Sequence, residues 1–332
     1  MNKTLHRWIR LILGLAVSGI FLCLILKHID IDEIRSAFSS ISFFELTIAL
    51  GFLAVGYTLR IFRWWLMLRT LDPHVPLRSC TVPFLVSISM NNLLPFRAGD
   101  IVRVVGFRKD LRAPVMRLLG TLFIERLLDL MTLLCIFFVG LLGVTAGKIP
   151  TTFIRLTAII AATGITVVVV VLLFHKWLER FVYWLADRPV VSRHGWTNPI
   201  KQHSKDFLEA LKLLRSPLLT IQLAALSLVV WCCEGAVFAA VVYAISPESA
   251  FCGSWFALAT GTLSTLLPSS PGHVGTFDYF TMLGLSAYGL GEQTAAGIAV
   301  VVHVILWLPL TITGVLCILL PRASFLRNRF PR

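Results

Sequence analysis

Long, uninterrupted apolar runs constrain this chain more than any other feature. Six of them reach the roughly 20 residues that a helix needs to cross a bilayer: Trp8–Lys27, Phe43–Trp65, Leu118–Leu142, Phe153–Phe174, Leu218–Ala244 and Ala295–Leu320. Only 14% of the residues are charged and 57% are hydrophobic, whereas soluble domains carry about 25% charged residues. A water-soluble globular domain is thereby excluded, and so is disorder, which goes with a shortage of apolar residues. A membrane β-barrel is excluded as well, since it would show segments of about ten residues with alternating polarity. The expected fold class is an all-α polytopic membrane protein, a single integral membrane domain over residues 1–332.

Two further apolar stretches are too short or too broken to span. Cys80–Leu94 ends at Pro95; Phe251–Leu267 ends at Pro268, and a short run, Tyr279–Leu290, follows a Gly/Pro-rich segment. Charge decides how they lie. If Cys80–Leu94 crossed the membrane, Arg97, Arg103, Arg108, Lys109, Arg112 and Arg117 would face outward, against the tendency of basic loops to stay inside. A re-entrant hairpin removes the conflict. With Phe251–Leu290 as a second hairpin entered from the outer side, six full spans remain and both termini lie in the cytoplasm. That topology keeps 25 of the 30 Lys and Arg residues inside, while Asp30, Asp32, Glu33, Glu248 and Glu292 lie outside. The net charge of +13 then reflects basic loops facing anionic lipid. The localisation expected is the cell (inner) membrane, with no nucleic-acid partner.

Each half now reads span, span, hairpin, span, over 8–142 and 153–320. Three crossings per half turn the second upside down, the inverted repeat of many transporters, whose broken helices mark the site. The basic stretch 175–216 is read as a cytoplasmic amphipathic loop, with Trp177, Phe181 and Trp184 beside Lys176 and Arg180 suited to the lipid surface. It is too short for a soluble catalytic domain.

Three polar constellations interrupt the apolar pattern. In the first, Asn91, Asn92, Arg97, Asp100 and Arg103 flank the break at Pro95. Such groups are costly in hydrocarbon unless they line protein or water. Arg97 either grips a phosphate with its planar guanidinium or forms a local ion pair with Asp100. In the second, Glu125, Arg126 and Asp129 fall within one helical turn of a span. They serve either a substrate cation or a proton, or else pair with a neighbouring helix such as the one bearing Arg60 and Arg63. The third runs from Leu267 to Asp278, with Ser269 and Ser270 where unwound backbone and a helix start offer an anion site. Glu234, alone in the fifth span, joins these as a candidate for binding. His303 in the last span is read as a packing residue.

No phosphate-binding loop, metalloprotease motif or nucleophile elbow is present. Catalytic residues, metals and cofactors are therefore not expected. The seven cysteines include no C-x-x-C pair and mostly lie in apolar runs, as small buried hydrophobes.

Taken in order, Asn91–Asp100 with Arg103, then Glu125 to Asp129, then Leu267-Pro268 through Pro271-Gly272 to Gly275 and Asp278, resemble the flippase-like transmembrane region of lysylphosphatidylglycerol synthases. Arg60 and Arg63-Trp64 match its usual opening. Three positions depart from the pattern: His273 stands where glycine is common, Asp278 where glutamate is, and His303 where arginine is. The resemblance implies a stand-alone member without the synthase domain. It also implies lipid handling, the movement of a phospholipid, glycolipid or isoprenoid lipid between leaflets, often beside a glycosyltransferase or lipid synthase. The alternative is a non-transporting membrane scaffold for such an enzyme.

Overall fold

The computed structural model describes residues 31–94, 97–144, 197–247, 250–267 and 269–319, together with 159, 163, 166 and 180. The expected spans Trp8–Lys27 and Phe153–Phe174 lie outside these residues, isolated positions aside, as does the surface helix expected around Trp177–Trp184. Every regular element among the described residues is helical.

The chain order is α1 (Ile31–Ser40), α2 (Phe43–Leu71), α3 (Arg78–Leu93), α4 (Ala98–Ile101) running into a π-helical turn (Val102–Gly106), α5 (Val115–Leu142), α6 (Thr197–Leu211), α7 (Pro217–Ile245), α8 (Ala250–Ser264), α9 (Thr276–Ser286) and α10 (Glu292–Leu319). Three of them, α2, α7 and α10, are long and apolar enough to cross a membrane. The 28-residue α5 matches them in length, and Arg117, Glu125, Arg126 and Asp129 set it apart in composition. The starts follow local rules. Ser42 donates its backbone N–H to Glu45 Oε2 at 2.9 Å to open α2, and Ser216 with Pro217 behind it opens α7.

α2 and α7 pack along each other and form the spine of the fold. One apolar core gathers the N-terminal half of α2 (Leu53), α7 (Phe238), α8, α9 and α10. A second gathers the C-terminal half of α2 (Trp64, Met67), α3, the start of α5 (Leu118) and α6 (Leu208, Leu211). Arg60 and Arg63 lie on α2 where these cores meet.

Both sequence breaks fold back. After α3 the chain turns at Arg97, and α4 returns along α3 so closely that a Cβ on Gly99 would strike Ser87 O and Asn91 N. Only glycine permits that approach. After α8 the chain passes a short 3₁₀ turn (Pro271–His273), and α9 returns along α8. α10 packs against both hairpins, and against α3 its Gly314 leaves no room for a Cβ beside Leu85 O.

Two elements differ from the sequence reading. Residues read as an outer loop near Asp32 form α1, with Ala37 buried and α10 as its chief neighbour. The last third of the basic stretch is ordered as α6, which docks on α5 with Ala210 against Gly120. Arg117 pairs there with Glu209 Oε2 at 2.5 Å.

Candidate functional site

The charged residues at the junction of the two cores form one connected network. Arg63, with no solvent exposure, donates to Asp129 Oδ1 at 2.7 Å and to Ser227 Oγ at 2.5 Å. Trp231 Nε1 donates to the same Asp129 oxygen at 3.2 Å. Arg60 binds Glu234 Oε2 at 2.5 Å, lies 3.7 Å from Asp129 Oδ2, and stacks 4.5 Å above the Trp231 ring. Arg126 reaches in the other direction, to both oxygens of Asp100 at 3.0 and 3.1 Å. Arg103, presented by the π-helical turn, meets Glu125 with both terminal nitrogens at 3.3 Å and lies against the rings of Trp64 and Phe84. That pair is almost wholly buried, with side chains 1% and 2% exposed.

These contacts revise the expected roles. The carboxylates Asp100, Glu125, Asp129 and Glu234 each have an arginine within 3.3 Å. Of the two readings of the Glu125–Asp129 group, ion pairing to the helix that carries Arg60 and Arg63 is present at Asp129, and Glu234 pairs with the same helix. Arg126 binds Asp100 most closely and also lies 3.7 Å from Glu125 Oε1 and 3.8 Å from Asp129 Oδ2 on its own helix. Desolvation accounts for this pattern, because a carboxylate withdrawn from water is tolerable only with a close cation and hydrogen bonds. Arg103 is enclosed within protein, away from any cavity.

Arg97 behaves differently. It does not pair with Asp100, which Arg126 already holds, and no carboxylate among the described residues lies within ion-pair distance of it. Its backbone is left-handed (φ 51°, ψ 40°), a conformation that costs a non-glycine residue about 1–2 kcal/mol. Its side chain crosses to the second hairpin, where Nη2 donates to Thr265 Oγ1 at 2.8 Å. The two breaks therefore meet. Between them lies a cavity of about 300 Å³ whose walls include Asn91, Arg97, Thr265, Ser269, Ser270 and His273.

The remaining predicted residues brace this cavity. Asn91 Nδ2 donates to Asp100 Oδ1 at 3.1 Å while its own Oδ1 accepts from the Asp100 N–H at 3.2 Å, locking α3 to α4. Asn92 turns away from the cavity to α10, donating to Thr311 Oγ1 at 2.9 Å and to Trp307 O at 3.3 Å. Asp278 accepts from the Gly275 N–H at 2.8 Å, capping its own helix, and lies 2.6 Å from His303 Nδ1. Nε2 of the same histidine lies 2.9 Å from Gly272 O. Both ring nitrogens are thus within hydrogen-bond distance of an oxygen. Ser269 Oγ hydrogen-bonds His273 Nδ1 at 2.8 Å, and His273 itself is left-handed (φ 60°).

Sequence reasoning missed Thr265, Ser227 and Trp231 as partners. Arg60 and Arg63 were visible as charges three apart on an apolar helix, a spacing that puts them on one face. Thr265 and Ser227 carried no signal, since a hydroxyl in a membrane helix commonly bonds its own backbone.

A model of the lysylphosphatidylglycerol synthase TM region matches residues 11–314. The chain belongs to this family. It is thus an integral membrane protein, and the match takes in both hairpins, the charged network and the cavity. Among curated proteins, it is 25% identical to Glycosyltransferase AglD of Haloferax volcanii, over 92% of this chain and 53% of that protein. The chain spans about half the length of that relative.

Proposed function

We propose that the protein is a lipid translocase that moves a polar-headgroup phospholipid, or a glycolipid or isoprenoid lipid, between leaflets. The observation that carries this reading is the meeting of two broken-helix tips in one polar cavity, bridged by Arg97 and Thr265. Unwound backbone within a membrane domain is tolerated where it lines a cavity, and facing broken helices are where transporters bind their cargo. About 300 Å³ admits a headgroup, whereas the acyl or isoprenoid chains stay in the bilayer. In this reading the hairpins are re-entrant from opposite leaflets, the halves form an inverted repeat, and both termini face the cytoplasm across the inner membrane. The chemistry is transport, with no catalytic step. Asn91 and Arg97 from one tip, with Ser269 and Ser270 from the other, contact the headgroup. Asn92, Asp100, Arg126 and Asp278 hold the tips in place, while Arg103, Glu125, Asp129 and Glu234 fix the helices behind them.

Reconstitution into vesicles with fluorescent lipids in the inner leaflet tests this. The expected result is accelerated appearance of label in the outer leaflet, lost in Arg97→Gln. Vesicles that flip no candidate lipid faster than protein-free ones would overturn it.

One observation favours a second reading, a membrane partner of a glycosyltransferase without transport of its own: the relative matched along the chain bears that name. It expects Arg97→Gln to be silent in cells, and substitutions on the exposed side of α6 to abolish function.

A further inference from the structure

The charge balance around the cavity narrows the cargo. The network and the tip together hold five arginines, Arg60, Arg63, Arg97, Arg103 and Arg126, against four carboxylates, Asp100, Glu125, Asp129 and Glu234. Four of the arginines bind those carboxylates, Asp278 at the second tip is taken up by the Gly275 N–H and His303, and Arg97 has no carboxylate within ion-pair distance among the described residues. No carboxylate is among the described residues that line the cavity; its polar walls are the Arg97 guanidinium, the Asn91 amide, the hydroxyls of Thr265, Ser269 and Ser270, and the His273 imidazole. Asp100 is bonded to the cavity residue Asn91 and is occupied by Arg126. A cation in this cavity would meet Arg97 at close range with nothing to balance it. A phosphate oxygen would meet the guanidinium of Arg97.

The placement of Arg97 supports the same conclusion. A left-handed arginine at a tip persists only where its surroundings impose the conformation. The hydrogen bond to Thr265 uses Nη2 alone, so the planar guanidinium retains further donors for a second partner, in the fork geometry that suits phosphate.

We infer that the cavity binds the phosphate group of a lipid whose headgroup carries no balancing cation, with Arg97 as the charge that selects it. This rests on the translocase reading for the lipid, while the preference for an anion rests on the cavity alone. It also argues against an aminoacylated, net-positive headgroup as cargo.

Native mass spectrometry of the full chain in detergent, titrated with phosphatidylglycerol, lysylphosphatidylglycerol and phosphatidylcholine, with inorganic phosphate as competitor, tests the inference. Phosphatidylglycerol is expected to bind about tenfold or more tightly than lysylphosphatidylglycerol, and Arg97→Gln to remove that preference, as befits a lost charge-assisted hydrogen bond. Thr265→Val, which frees the side chain without discharging it, should weaken phosphatidylglycerol binding less, and it carries the test if Arg97→Gln does not fold. Arg117→Gln, which removes the same charge beside α6, should change nothing. Lysylphosphatidylglycerol binding as tightly as phosphatidylglycerol would overturn the inference and leave the translocase reading standing. Inorganic phosphate bound in an Arg97-dependent way, with no lipid bound at all, would support the anion site and overturn the translocase reading. Anion binding equal in wild type and Arg97→Gln would overturn the inference outright.

Discussion

The two breaks resemble each other in sequence pattern and differ in what holds them. The first, at Arg97, is tied to α5 by permanent charges: Asp100 is gripped by Arg126 and cradled by Asn91 and Ser87. The second, at Pro271–Gly275, is tied to α10 by one histidine, with Asp278 on one side of the ring and Gly272 O on the other. The first hairpin is therefore held by a charge-assisted pair backed by an amide and a hydroxyl, whereas the second hangs on the two ring nitrogens of a single side chain.

The sharpest way to break this comparison is to unbalance the network behind the first hairpin. Arg63→Ala removes the closest cation of Asp129 and leaves it to Arg60 and Arg126 at 3.7 and 3.8 Å, and the expected loss is about 1.5–3 kcal/mol, that of a charged hydrogen bond. Thermal denaturation in detergent reads it, and Arg63→Met with Asp129→Leu should recover much of the loss, because two apolar groups need no partner. Next comes Gly99→Ala, which places a methyl against Ser87 O and Asn91 N. The first hairpin should open at a loss of about 1–3 kcal/mol, seen as faster proteolysis between residues 94 and 108. His303→Gln should cost about 1–2 kcal/mol by losing one of its two contacts. Asp100→Asn, which takes from Arg126 its closest carboxylate, should slow lipid flipping in the vesicle assay. The smallest effect expected is for Ser269→Ala, a severalfold loss of lipid binding with unchanged melting temperature, about what one neutral hydrogen bond contributes.

The sequence made the membrane architecture legible because burial in lipid leaves a crude signature, long apolar runs, which survives without knowledge of tertiary contacts. The spans near α7 and α10 agree within a turn at either end for that reason, and α2 starts where expected but runs six residues further, to Leu71. The two breaks were equally plain, since proline and glycine between short apolar runs admit few alternatives. Partners were not legible. Glu125 and Asp129 announced themselves as expensive, but whether the compensation came from Arg126 on the same helix or from Arg63 and Arg103 elsewhere depends on distances that periodicity does not encode. The fate of Arg97 was likewise undecided between Asp100 and a ligand; Arg126 settled it by taking the carboxylate first. α1 was missed because ten residues with mean polarity near neutral look like a loop until α10 is known to lie beside them.

His303, Trp307 and Thr311 are spaced four apart along α10, so they share one stripe of its surface over about 12 Å. The first of them holds Gly272, and the other two hold Asn92. A single stiff rod therefore has a grip on both tips at once, and twisting it by a few degrees drags them sideways together, much as one key turns two bolts. Mechanical linkage of the two tips is thereby built into three consecutive turns of helix, and a label on α10 would register the displacement of either.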